Sequence, residues 1–147
     1  ISENPYGTYI EGSLAIAPGT ILMFSGEDYL GLDEPNARLV ANGTDTERIV
    51  FTTSSSSPAP GAWTGIIFFD QAHPDCILNN CDILYAGRDS YYRGAITIND
   101  IQVTVSNCKI QNSSKYAIYL IGETASLSSA SVSNTITNCA LGETGSE

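Results

Sequence analysis

Cys76–Leu84 reads CILNNCDIL, Val103–Gln111 reads VTVSNCKIQ and Asn134–Gly142 reads NTITNCALG. An apolar, Asn-Cys, apolar phrase recurring in one short chain is the mark of a repeat architecture, in which each repeat lays like side chains above those of its neighbour. Aligned on cysteine, Leu78, Val105 and Ile136 fall in one column and Asn80, Asn107 and Asn138 in a second. Cys81, Cys108 and Cys139 fall in a third, and Ile83, Ile110 and Leu141 in a fourth. Side chains alternate along a strand, so the apolar residue and the asparagine two positions later share a face, and the cysteine and the aliphatic after it form another alternating pair. A bend at the asparagine reconciles the two phases. Asparagine tolerates the left-handed backbone region, and stacked amides hydrogen-bond along a ladder. The phrase predicts strand, corner, strand, with the asparagine at a stacked corner and the cysteine as a small buried spacer.

A second phrase precedes the first. Gly65-Ile66-Ile67-Phe68, Ala95-Ile96-Thr97-Ile98 and Ala117-Ile118-Tyr119-Leu120 align, with the second and fourth positions large and apolar. Alternation points Ile66 and Phe68 inward and leaves Ile67, Thr97 and Tyr119 outside. The isoleucines at 66, 96 and 118 recur after 30 and then 22 residues, which suits solenoid coils with loops of variable length. Upstream, Leu14 and Ile16, Pro18-Gly19-Thr20, then Ile21 and Met23 read as strand, turn, strand. Leu39 and Ala41, Asn42-Gly43-Thr44, then Ile49 and Phe51 repeat it. SSSSPAPG at 54–61 is a loop by composition, and no stretch reads as a helix of useful length.

The stretches SLAIAPGTILMF, RLVANGTDTERIVFTT, AWTGIIFF, GAITI, YAIYL and the three Asn-Cys phrases cover most of the chain from Ser13 to Leu141. In them the chain resembles the right-handed parallel β-helix of the pectin-lyase-like superfamily, especially its repeat modules in secreted and surface proteins of microbes. The resemblance implies an all-β, single-stranded solenoid of about five or six coils. Residues 1–12 are expected as an extended N-terminal segment and 13–147 as the β-helix domain. The fold hosts lyases, hydrolases, phage tailspikes, adhesins and inert spacers, so it does not fix an activity.

Composition narrows the classes. The 147 residues suit a single domain, and a hydrophobic fraction of 42% is ordinary for a globular chain. Six lysines and arginines against 16 carboxylates give a net charge of −10, which excludes a phosphate-binding surface and with it nucleic acid. There is no run of about 20 apolar residues, so no membrane span is expected, and the charged n-region of a signal peptide is missing. The chain begins at Ile1 rather than Met, which suggests a processed or excised segment. Few lysines, many small polar residues and the family resemblance point to an extracellular or cell-surface setting.

Several residues are candidates for chemistry. Three of the four cysteines, Cys81, Cys108 and Cys139, read as a reduced, buried stack. In-register neighbours about 4.8 Å apart point the same way and reach disulfide geometry poorly. Metal ligation by Cys76 and Cys81 lacks a second ligand pair, His73 being the single histidine. Asp70 and Asp100 each follow an aligned isoleucine by four residues, which stacks them at one corner of adjacent coils. Two carboxylates about 5 Å apart suit a retaining glycosidase, or would hold calcium, with Arg88 and Arg93 as the available cations. The alternative for both aspartates is a solvated turn. Asp82 and Lys109 read as an exposed cross-strand ion pair. Tyr91, Tyr92 and Tyr119 form a candidate aromatic platform for sugar rings, against the plainer reading of sheet-face packing.

The ends suggest a partner. After the last Asn-Cys phrase only GETGSE is left to cover an apolar core, while ISENPYGTYIEG is extended and aromatic enough to lie on the edge of a neighbour. The leading expectation is a non-catalytic extracellular structural or adhesive module that associates end to end through coil edges or its N-terminal segment, as in a fibre. The second is a glycan-binding or glycan-cleaving β-helix that contacts polysaccharide.

Overall fold

The computed structural model describes residues 2–4 and 7–147, and among them every regular element is a strand. Ser2–Asn4 (β1) precedes a first coil of Gly7–Tyr9 (β2), Ser13–Ile16 (β3) and Ile21–Phe24 (β4). The second coil is Tyr29–Leu32 (β5), Arg38–Asn42 (β6) and Ile49–Thr53 (β7), and the third Gly65–Phe68 (β8), Ile77–Asn79 (β9) and Cys81–Leu84 (β10). The fourth is Gly94–Asn99 (β11), Gln102–Ser106 (β12) and Lys109–Gln111 (β13), and the fifth Tyr116–Ile121 (β14), Ser126–Leu127 (β15) and Thr135–Thr137 (β16). Gly142–Ser146 (β17) opens a sixth rung.

Successive coils pair in parallel, so the chain is a parallel β-helix with three sheets. The first runs β1-β2-β5-β8-β11-β14-β17, the second β3-β6-β9-β12-β15 and the third β4-β7-β10-β13-β16. Only β1 is antiparallel, folding back on β2 at the start of the first sheet. Among the described residues no helix is long and apolar enough to cross a membrane.

Register turns the sequence columns into a core. Leu30, Ile66, Ile96 and Ile118 stack in one inward column of the first sheet, and Leu32, Phe68, Ile98 and Leu120 in the next. Leu22, Phe51, Ile83, Ile110 and Ile136 stack in the third sheet. Each such side chain fully removed from water contributes about 1.5–3 kcal/mol, so these ladders are the main source of stability. Trp63 fills the corner between coils, stacked on Phe24 at 4.4 Å, with its indole N–H donating to Leu84 O at 2.8 Å.

The first two Asn-Cys copies occupy the corner between the second and third sheets. Asn80 and Asn107 take φ of 50° and 51°, and Val105 lies over Leu78. Cys81 and Cys108 are buried free thiols. The amide ladder runs through Asn79 rather than Asn80: Asn79 Nδ2 donates to Asn42 Oδ1 at 2.7 Å, and Asn107 Nδ2 donates to Asn79 Oδ1 at 2.9 Å. Asn80 Nδ2 instead donates to Gly43 O. Arg48 clamps this corner, donating to Asp82 Oδ1 at 2.6 Å and to the carbonyls of Cys81 and Asn107 at 2.9 Å each. Asp82 and Lys109 are cross-strand neighbours, yet the Asp82 carboxylate is taken by Arg48, so the expected Asp82–Lys109 pair is not formed.

The third copy departs from the alignment. Lys109 stacks on Thr135, 26 residues on, whereas Cys108 and Cys139 are 31 residues apart. The phrase therefore arrives one corner late. Ile136 lies over Ile110, not Val105, and Asn138 stacks on Asn112 at 2.5 Å, so Asn138 and Cys139 leave the column of Asn80, Asn107, Cys81 and Cys108. In the vacated place Ser133 takes the positive φ of 56°, and Asn134 Oδ1 accepts the Cys108 N–H at 3.0 Å. The strand and the asparagine corner hold in all three copies, but after Asn138 a turn through Leu141, 42% exposed, replaces the second strand, and coil length decides which corner each copy fills.

Three further expectations change. Ile21 and Met23 point outward, 57% and 63% exposed, because Leu22 and Phe24 take the inward positions over Phe51 and Thr53. Ile67, Thr97 and Tyr119 do face away from the core but are buried, because this side of the first sheet is itself covered. At the last coil the inward columns of the first sheet end in polar residues, Thr144 over Ile118 and Ser146 over Leu120, whereas those of the second and third sheets end in the half-buried Leu127 and Ile136. Ser128 bonds Thr104 at 2.7 Å, Ser131 Oγ accepts the Val105 N–H at 3.0 Å, and Ser106 Oγ donates to Ala130 O at 2.7 Å, satisfying the backbone edge of β12. At the other end β1 covers the first sheet, while Leu14 and Leu22 of β3 and β4 are half-buried.

Candidate functional site

The outer face of the first sheet carries the chemistry. One outward column there runs Tyr9, Gly31, Ile67, Thr97, Tyr119 and Gly145. Glycine beside tyrosine lets the rings lie flat: a Cβ at Gly31 would come within 3.0 Å of both the Tyr9 and Tyr29 rings, and one at Gly7 within 2.8 Å of Tyr29. Their hydroxyls bond each other and their rings meet edge to face at 5.5 Å. Tyr9 stacks on Phe69 at 6.5 Å, Phe69 meets Tyr92 at 5.6 Å, and Tyr92 meets Tyr91 at 5.0 Å. Five rings from three coils and one loop thus form a continuous aromatic surface.

The loop between β10 and β11 brings Tyr91 and Tyr92 to that surface. Asp89 Oδ1 accepts the backbone N–H of Tyr91 at 2.7 Å and of Tyr92 at 2.8 Å, an Asx turn that fixes both rings. Gly87 N–H donates to Thr64 O at 2.9 Å and Ser114 Oγ to Gly87 O at 2.5 Å, tying the loop to coils on either side. Beneath it lies a cavity of about 330 Å³ walled by Glu27, Tyr29, Thr64, Arg88, Asp89 and Tyr92. It combines a flat aromatic wall with carboxylate, hydroxyl and guanidinium groups. Burial, then the hydrogen bond that the Tyr29 hydroxyl shares with Tyr9, pushes the Tyr29 phenol well above the usual tyrosine range. Burial also raises Tyr92, with nearby Tyr91 adding to it. Asp33, beside Tyr9, is raised by burial and then by the charges of Asp70 and Glu34.

Tyr91 and Tyr92 are therefore brought together, with Tyr91 58% exposed, but Tyr119 is not part of their platform. It is buried, stacked on Tyr116 at 5.6 Å, with the Arg93 guanidinium 5.8 Å from its ring centre. Asp100 Oδ1 accepts from Thr124 N–H and Oγ1, both at 3.1 Å, while Asp70 lies near enough to Asp33, one coil earlier, for its charge to raise the Asp33 carboxyl. Among the described residues no group of three or more His, Cys, Asp or Glu side chains is arranged to hold a metal ion. His73 sits in its turn, its Nδ1 accepting the Asp75 N–H at 3.2 Å.

Tyr9, Tyr29 and Phe69 were not singled out by sequence, although a signal exists. GTY at 7–9 and YLG at 29–31 each place a tyrosine two positions from a glycine, hence on the same face of a strand. No family model matches this chain, and no curated protein or solved structure is significantly similar to it.

Proposed function

We propose that this protein is a non-catalytic extracellular adhesive module that binds carbohydrate on the outer face of its first sheet. The observation that carries the reading is the aromatic surface from Tyr9 to Tyr91 beside a cavity lined by Glu27, Thr64 and Arg88. Sugars present apolar C–H faces that pack on rings and hydroxyls that need paired donors and acceptors, and this wall offers both. The likeness of the architecture to the pectin-lyase-like superfamily supports a glycan ligand by analogy of fold alone. Binding rather than cleavage is favoured because Asp100, one of the two candidate carboxylates, is engaged by the Thr124 N–H and hydroxyl. End-to-end association has weaker support. Leu14 and Leu22 are half open at the first coil, but the columns of the first sheet end in Thr144 and Ser146.

Titration calorimetry against neutral and acidic oligosaccharides tests the reading. Tyr92→Ala is expected to weaken binding by about tenfold, or ~1.4 kcal/mol, and Tyr91→Ala by less. Tyr116→Ala, on the part of the face covered by Arg93, is expected to leave affinity unchanged. Equal loss in all three variants, with their folds intact, would count against the site.

A further inference from the structure

The cavity beneath Tyr92 is the middle of a row. On one side a hollow of about 450 Å³ is lined by hydroxyls of Ser25, Thr53, Ser54, Ser55 and Ser57, and it shares Arg88 as a wall. On the other side a hollow of about 240 Å³ is lined by Tyr9, Glu11, Asp33 and Glu34, separated from the middle one by the hydroxyl-paired Tyr9 and Tyr29. The order follows the chain. Ser25 to Glu27 lie before β5, Tyr29 begins it, and Asp33 and Glu34 come just after it. The three hollows fall near or below the lower end of the usual range for a ligand site, about 300–1,000 Å³, and together they make a track across the sheet in the direction of β5.

Charge along the track is not uniform. Arg88, which donates to Gly61 O at 3.4 Å, stands between the first two hollows with five donor groups on its guanidinium. Glu27 lines the middle one, and Glu11, Asp33 and Glu34 line the last. A chain with a negative charge on every sugar would meet those carboxylates in the middle and last hollows, whereas Arg88 is a single cation where the first two hollows meet. Like charges brought together on a partly desolvated surface repel strongly enough to reject a ligand. Asp89 is already occupied by the amides of Tyr91 and Tyr92 and helps hold the wall rather than read a ligand.

We propose, on the basis of the carbohydrate reading above, that the ligand is an extended polysaccharide without acidic sugars, lying along the direction of β5, with one section in each hollow. Its hydroxyls bond the serine hollow and Arg88, a ring packs on Tyr29 and Tyr92, and the next section accepts contact from Tyr9 and donates to Glu34.

Calorimetry with neutral hexose oligomers from monomer to hexamer, alongside galacturonate and glucosamine oligomers of the same lengths, decides it. Affinity for the neutral series is expected to rise by at least about tenfold from monomer to tetramer and then level off. Glu34→Ala, in the last hollow, is expected to reduce that gain while leaving the affinity for short oligomers unchanged, and Arg88→Ala, in the wall shared by the first two hollows, to weaken oligomers of every length. A length-independent affinity, a preference for the galacturonate series, or long-oligomer binding untouched by both substitutions overturns the extended non-acidic ligand while leaving the carbohydrate reading intact. No binding by any oligomer overturns both.

Discussion

The corner between the second and third sheets and the outer face of the first sheet are both rich in polar side chains, but they use them in opposite ways. At the corner, Asn42, Asn79 and Asn107 bond one another, Arg48 closes on Asp82 and two carbonyls, and Cys81 and Cys108 are sealed beneath. On the outer face Tyr9 meets Tyr29 and Tyr91 meets Tyr92 edge to face, and Arg88, Glu27 and the serine loop border open hollows. A buried polar group must find its partner inside the protein, whereas a half-open one can keep capacity for a ligand. The contrast teaches where this molecule holds its fold and where it meets other molecules.

The sharpest way to break the contrast is to charge the closed corner. Cys108→Asp places a carboxylate in the dry column, where the hydrogen bond with Cys108 and burial together hold the Cys81 thiol protonated far above its usual range. An unpaired buried charge costs more than about 3 kcal/mol, so chemical denaturation is expected to show a protein that is largely unfolded or severely destabilised. Lys109→Asp, one residue on and exposed, is expected to cost less than about 1 kcal/mol. Equal tolerance of the two would remove the corner from the core.

A pH titration probes the open face instead. The Tyr29 phenol is raised in the fold, so its contribution to stability is fully present below pH ~10, the unfolded value, and is lost as pH rises through the folded one. Denaturant midpoints are expected to fall above pH 10 by about 1 kcal/mol after discounting for the solvent that reaches the ring, and Tyr29→Phe should flatten that fall. A Tyr29→Phe curve that still falls as steeply would place the alkaline sensitivity elsewhere.

The smallest expected effect has the opposite sign to most substitutions. Asp33 is raised by burial and by Asp70 and Glu34, so ionising it at neutral pH costs the folded state something that the unfolded chain does not bear. Asp33→Asn is expected to stabilise the protein by roughly 0.5 kcal/mol or less at pH 7, with the gain vanishing as pH falls below the unfolded carboxylate range near 4. A loss of stability at pH 7 would show that the Asp33 carboxylate is instead a needed partner on this face.

Much of the architecture was legible because it is written in repeated local chemistry. The columns Ile66, Ile96 and Ile118, and Leu78 with Val105, stand as their alignment predicts, and Asn80 and Asn107 turn the corner with positive φ. The third phrase misled because resemblance between short phrases carries no count of the residues between them, and five residues of difference moved Asn138 and Cys139 to the next corner. Ile21 and Met23 misled for a related reason, since one strand of four apolar residues does not say which alternate pair faces in until β7 supplies the register. On the site, Tyr91 and Tyr92 were found by proximity in sequence, but Tyr119 was joined to them only by type. Its burial under Arg93 and its distance from the cavity depend on where the loop after β10 lies.

The sequence by itself determined that this chain winds as a parallel β-helix with an aliphatic core and asparagine corners, because alternation and repetition are local and each coil restates them. Only the tertiary structure decided which coil stacks on which residue, that Arg48 rather than Lys109 answers Asp82, and that five aromatic rings from separate coils meet beside Arg88. Those outcomes depend on loop length and on contacts between residues far apart in the chain. No short window of sequence contains them.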